Sequence, residues 1–191
     1  MKPITTFLIA LNLVSFVWLW LTGGWDSDAS LVAHGAIVPW YVRAYGEWWR
    51  IVTGAFLHAG LAHIGMNMLA LAQLGTLVEE LIGSIPMLLI YVISMLGAGW
   101  AIVRYSSAMD PTVGASGAIY GLFGALIAIG LRMGPAGRGL VASTIPILVI
   151  NLGLTFAIPN ISISGHIGGL ISGFLVALLM GRKQQAQDWI S

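Results

Sequence analysis

Ser116, set in Gly114-Ala115-Ser116-Gly117, and His166, preceded by Gly165, are the residues of this sequence best fitted to nucleophilic chemistry. A serine hydroxyl is a weak nucleophile until a neighbouring base takes its proton, and imidazole does so near neutral pH. Attack on a carbonyl carbon builds an oxyanion that needs hydrogen-bond donors, and loss of one donor costs roughly 10²–10³ in rate. Asn67 offers an amide for that purpose, and Ser116 offers its own N–H at the start of a helix, where N–H groups lack intrahelical partners. Spacing supports the grouping: His63 and Asn67 lie four apart on one helical face, as do Ser116 and Tyr120. With no Cys in the chain, thiol catalysis, disulfides and thiolate metal sites are all excluded. Asp110, six residues before Ser116, is the one nearby carboxylate that could orient His166, but Pro111 beside it reads as a turn.

These residues have to be positioned by helices in lipid. Of 191 residues, 58% are hydrophobic and 8% charged, against roughly a quarter charged in a soluble domain. The 25 glycines are about twice the usual share, a sign of helix pairs packed closely through small residues. A net charge of +1 gives no basic surface for nucleic acid. Uncharged stretches run Pro3–Trp25, Ile51–Val78, Leu81–Val103 and Pro111–Leu131. A fifth, Gly139–Gly181, is too long for one span and is broken by the turn-type sequence Ala157-Ile158-Pro159-Asn160. The expectation is an all-α polytopic bundle of six spans. The first is read as a true span rather than a leader, because its apolar run exceeds the roughly 7–15 residues of a signal-peptide core.

Orientation follows from basic residues in short connections: Lys2 precedes the first span, Arg132 and Arg138 flank the fourth connection, and Arg182 and Lys183 follow the last. Both termini are therefore expected in the cytoplasm. Glu79-Glu80 fits poorly, as the second connection carries no cation. The long Gly23–Arg50 segment falls outside, and its Trp25, Trp40, Tyr41, Tyr45, Trp48 and Trp49 suit the membrane interface. Spans two, four and six then all begin on the outer side. Their first turns bring His58, His63, Asn67, Ser116 and His166 to one leaflet, where polar side chains are costly unless paired or functional. His166, Gly169 and Gly173 form one stripe, and Gly117 with Gly121 forms another. Backbones meeting along these rows would carry the imidazole to Ser116. A single such row, like a lone Gly-x-Ser-Gly, is as readily explained by packing.

Taken jointly, Trp49-Arg50, His63-Ile-Gly-Met-Asn67, Gly114-Ala-Ser116-Gly117 and Gly165-His166-Ile-Gly-Gly169 resemble the motifs of the rhomboid intramembrane serine proteases, in a compact bacterial GlpG-like form. The order and spacing of the motifs agree over nearly the whole chain. The resemblance implies a catalytic Ser116–His166 dyad with no third acid, Tyr120 packed on the imidazole, and an oxyanion pocket from Asn67, His63 and the Ser116 N–H, supported at Gly114. His58 matches a further histidine expected to have a structural or hydrogen-bonding role. Implied too are transmembrane proteins as substrates, the lipid bilayer of a bacterial inner membrane as location, entry near the fifth span, and no cofactor or metal. As Lys2 abuts the first span, residues 1–191 are expected to be a single catalytic membrane domain without a separate soluble domain.

Other classes fit less well. An inactive relative that only binds clients would be expected to have lost Ser116 or His166. A transporter would be expected to carry ionisable residues inside its spans or two similar halves, whereas no span has Asp, Glu, Lys or Arg at its centre and no internal repeat is seen. The four histidines, His34 among them, form no zinc-protease pattern.

Overall fold

The computed structural model describes residues 2–25, 27–157 and 161–180. Each of the six apolar stretches carries a long helix: α1 (Pro3–Leu21), α5 (Leu61–Ile82), α6 (Ser84–Tyr105), α7 (Ser116–Arg132), α8 (Arg138–Ala157) and α9 (Ile163–Leu179). Three short helices, α2 (Asp28–Ala33), α3 (Pro39–Tyr45) and α4 (Arg50–Gly54), fold the segment between α1 and α5. The chain is a helical polytopic membrane bundle. Four of its helices reach 18 residues or more with strongly apolar windows, whereas α7 and α9 have 17 residues each. Most of the turn expected at Ala157-Ile158-Pro159-Asn160 lies outside the described residues, as do Arg182 and Lys183.

Local chemistry fixes the helix ends. Pro3 and Pro39 open α1 and α3, where a missing N–H costs nothing. The Ser162 hydroxyl caps α9 by accepting the Gly165 N–H at 3.1 Å. A single residue, Gly83 at φ +87°, turns the chain from α5 into α6, a conformation that only glycine adopts at no steric cost. The start of the second span differs from expectation: Gly60, at φ +100°, breaks the backbone before Leu61, so His58 lies in the loop ahead of α5 and not on it.

The acidic connection is explained by its contacts. Glu79, buried in the last turn of α5, accepts the N–H groups of Ile4 and Thr5 at 3.0 and 2.8 Å. It also accepts the hydroxyls of Thr5 at 2.8 Å and Ser84 at 2.6 Å. Its carboxylate therefore caps the positive end of α1, fastening three helices at one face of the bundle. Lys2 sits 3.9 Å from Glu80 beside it.

The segment before α5 is held by Arg50. Its guanidinium donates to the carbonyls of Val32 at 2.8 Å and Ala36 at 3.0 Å, pairs with Glu47, and lies against the rings of Trp49 and Tyr41. Exposed Trp25, Trp40, Trp48 and Trp49 line the outside of this segment, as an interfacial structure requires.

At the centre stands α7, whose residues Ala118–Leu126 are all buried. Its closest neighbour is α9. A methyl added at Gly169 would overlap the Gly117 carbonyl, and one at Gly173 the Gly121 carbonyl, so backbone meets backbone along the two rows picked out in the sequence. By contrast α8, interrupted by Pro146, fully buries only Thr144, Leu148 and Thr155.

Candidate active site

Ser116 occupies the first position of α7, and the approach to it is pinned from two sides. Ile37 and Thr112 form an isolated antiparallel bridge, with the Ile37 N–H on the Thr112 carbonyl at 3.0 Å and the return bond at 2.9 Å. Two residues on, the Gly114 N–H donates to the Gly54 carbonyl at 2.9 Å. Gly114 has φ +119°, and a Cβ there would lie 2.7 Å from His63 Nε2 and 3.5 Å from Asn67 Nδ2. Glycine is thus required both by the backbone angle and by the two side chains pressed against it.

His166 enters from the first turn of α9. Its Nε2 lies 2.8 Å from Ser116 Oγ across 50 residues of sequence, a separation suited to a hydrogen bond. The imidazole stacks on the Tyr120 ring with centroids 4.0 Å apart and planes 15° from parallel. Hydroxyl and imidazole are brought together because α7 and α9 touch through glycine immediately below them: Gly117 follows Ser116 and packs on Gly169, one turn from His166.

Asn67 and His63 face this pair from α5. Asn67 is buried, and its Nδ2 meets no acceptor among the described residues. The His63 ring takes the Ala59 N–H on Nδ1 at 3.4 Å, which leaves the proton on Nε2, the nitrogen beside Gly114. Two side-chain nitrogens therefore meet beside Gly114, two residues before Ser116, whose own N–H at the start of α7 has no partner within the helix. His58 lies behind them with its ring edge-on to His63 at 5.0 Å. It is fully buried, and that burial, with His63 as the second cause, lowers its pKa to about 3. It is neutral at physiological pH. His34 belongs elsewhere, with Nδ1 2.8 Å from the Ser30 carbonyl at the end of α2.

One partner was not foreseen from sequence. His166 Nδ1 lies 2.8 Å from Thr155 Oγ1 on α8, so a hydroxyl occupies the place where an acid would stand in a triad. Asp110 is exposed in the loop before α7 and does not take that role. The same Thr155 oxygen is 2.8 Å from the Tyr120 hydroxyl. The only hint in the sequence was a threonine four residues after Asn151 in an otherwise apolar half-helix.

Comparison with known proteins bears on the whole chain. A family model described as a rhomboid domain matches residues 45–183. The chain is 43% identical over 182 residues to rhomboid protease GluP of Bacillus subtilis (strain 168), covering 94% of this chain and 35% of that protein. It is 33% identical over 198 residues to the putative rhomboid protease YdcA of the same organism, covering 96% and 91% respectively. Rhomboid protease GlpG of Photorhabdus laumondii is 28% identical over 184 residues, covering 92% and 61%. The chain thus spans about a third of the length of one of these relatives and about nine tenths of another.

Proposed function

The chain belongs to the rhomboid family, and on that premise we propose that it is an intramembrane serine endopeptidase that cuts transmembrane segments of client proteins with a Ser116–His166 dyad. The observation that carries the proposal is the 2.8 Å contact between Ser116 Oγ and His166 Nε2, at the first turns of two neighbouring helices in a membrane bundle. Ser116 attacks the scissile carbonyl while His166 Nε2 takes its proton. The negative oxygen that develops is received by Asn67 Nδ2, the Ser116 N–H and His63 Nε2. His166 then gives the proton to the leaving amine as the peptide C–N bond breaks, and afterwards activates the water that hydrolyses the acyl-enzyme. Tyr120 serves as a platform for the imidazole.

A carbonyl inside a client helix is engaged in an intrahelical hydrogen bond, so the client must unwind locally before attack. Small or helix-breaking residues near the cut are therefore favoured in the substrate. The basic residues of the short connections support cytoplasmic termini, with the site in the outer half of a bacterial inner membrane. No cofactor or metal takes part in this scheme, and residues 1–191 act as a single catalytic membrane domain.

The test is cleavage of a model transmembrane substrate by purified protein in detergent or liposomes, beside Ser116→Ala and His166→Ala. Cleavage by the unaltered protein alone is expected. Cleavage that survives in Ser116→Ala would remove the mechanism.

A further inference from the structure

We propose that Thr155 is a positioning residue that sets the tautomer of His166, so that Nδ1 carries the proton and Nε2 is left bare to accept from Ser116. This rests on the dyad reading above and adds to it a third group, supplied by α8.

A threonine hydroxyl has one hydrogen to give and two lone pairs to receive with. Thr155 Oγ1 has three neighbours at hydrogen-bond distance: the Asn151 carbonyl at 2.9 Å, His166 Nδ1 at 2.8 Å and the Tyr120 hydroxyl at 2.8 Å. The carbonyl can only accept, so the single Thr155 proton goes to it, in the back-bonding pattern of threonine within a helix. Both lone pairs then face groups that must donate. Tyr120 does so through its O–H, and His166 through an Nδ1–H. A neutral imidazole holds one proton, so Nε2 is unprotonated, and it is the nitrogen 2.8 Å from Ser116 Oγ. The reverse assignment would send the Thr155 proton to Nδ1, leave no proton between Thr155 Oγ1 and the Asn151 carbonyl oxygen 2.9 Å away, and turn Nε2–H toward the serine, where it could not act as a base.

Burial sharpens the preference. Thr155 is 3% exposed and His166 7%, so water competes poorly for either lone pair. Thr155 is also one of only three residues that α8 fully buries, and it reaches both Tyr120 and His166. The orientation of the base therefore depends on α8 being seated against α7 and α9.

The experiment compares wild type, Thr155→Val, Thr155→Ser and Ser116→Ala in the cleavage assay, with the His166 ring nitrogens read by NMR of protein labelled with 15N at histidine. Wild type is expected to show His166 protonated on Nδ1. Valine matches threonine in shape but cannot accept, so kcat should fall about tenfold, the worth of one hydrogen bond, with KM little changed and a mixed tautomer signal. Thr155→Ser should restore both. The same loss is expected when Thr155→Val is placed in a Tyr120→Phe background, and disappearance of the loss there would mean that Thr155 acts through Tyr120 instead. Wild-type protein protonated on Nε2 would overturn the inference without any variant. Unchanged kcat and tautomer in Thr155→Val, with Ser116→Ala inactive, would overturn it while leaving the dyad standing. Cleavage by Ser116→Ala would sink the dyad first, and this inference with it.

Discussion

Gly169→Ala tests the link between backbone packing and catalysis most directly. A methyl at this position points at the Gly117 carbonyl, which a methyl would overlap, and the obstacle is main chain on a buried helix, with no flexible side-chain end to swing aside. Carbon and oxygen rest comfortably at about 3.5 Å, so α7 and α9 must part locally by more than about 1 Å. Gly117 is joined to Ser116 and Gly169 lies less than one turn from His166, so the strain falls on a hydroxyl and an imidazole now 2.8 Å apart. A separation increased by 1 Å is no longer a hydrogen bond. Overpacking of this kind costs about 1–3 kcal/mol in stability, and a 1 Å misplacement costs about 10²-fold in rate. The variant should therefore remain folded at low temperature, melt earlier, and cleave about a hundredfold more slowly. Gly139→Ala is the control, since a Cβ there meets nothing within 4 Å. The assay is kcat on the model substrate at a temperature where both variants are folded by circular dichroism. If Gly169→Ala melts like wild type and cleaves within threefold of it, the claim that glycine contact sets the serine–histidine distance is wrong.

Asn67→Ala should lower kcat about 10²–10³-fold with little change in KM, as expected for a donor used only once the oxyanion forms; a change confined to KM would assign Asn67 to substrate binding instead. Glu79→Ala strips the acceptor from two N–H groups and two hydroxyls, so the melting transition should fall by about 3 kcal/mol while folded protein keeps its turnover number; an unchanged melting curve would refute the capping role. His58 gives a pH dependence of defined sign. An unfolded chain binds its proton near 6.5 and the folded chain only near 3, so the contribution is full above 6.5 and is lost as pH falls toward 3, at up to about 1.4 kcal/mol per pH unit. The melting temperature of wild type should fall more steeply on acidification than that of His58→Gln, and equal slopes would refute the argument.

Much of this site was legible because its residues are unusual for where they sit. A serine, two histidines and an asparagine at the starts of apolar helices cannot be explained by burial, and the even-numbered spans place all of them in one leaflet. The glycine rows were legible for a related reason, since only close approach makes use of them. Thr155 was not, because a threonine that bonds back to its own helix is unremarkable in a membrane span, and its lone pairs acquire meaning only when Tyr120 and His166 are seen to face it. Glu79-Glu80 looked out of place because orientation rules count Lys and Arg in short connections, and this one carries neither. In the fold Glu79 has left the loop and become the cap of α1. His58 was placed on a helix because no charge interrupts the sequence between Ile51 and Val78, and a backbone break at Gly60 leaves no trace in a hydropathy pattern.

The two helices that carry Ser116 and His166 are also the two shortest of the six long helices, at 17 residues each. At about 1.5 Å per residue each is about 26 Å long, short of the roughly 30 Å hydrocarbon layer. If their inner ends lie level with those of α5 and α6, which have 22 residues each, then Ser116 begins several ångström below the outer surface. A site at that depth cannot be built from α7 and α9 alone, because N–H groups at their first turns would face lipid unsatisfied. Ser162 caps α9, and the folded segment from α2 to α4 ties down the backbone leading into α7. It pairs Ile37 with Thr112, holds Gly114 on Gly54, and is itself pinned by Arg50. On the dyad reading proposed above, the short helices and the structured loop are thus two halves of one solution: the first would set Ser116 below the membrane surface, and the second would supply polar backbone beside it.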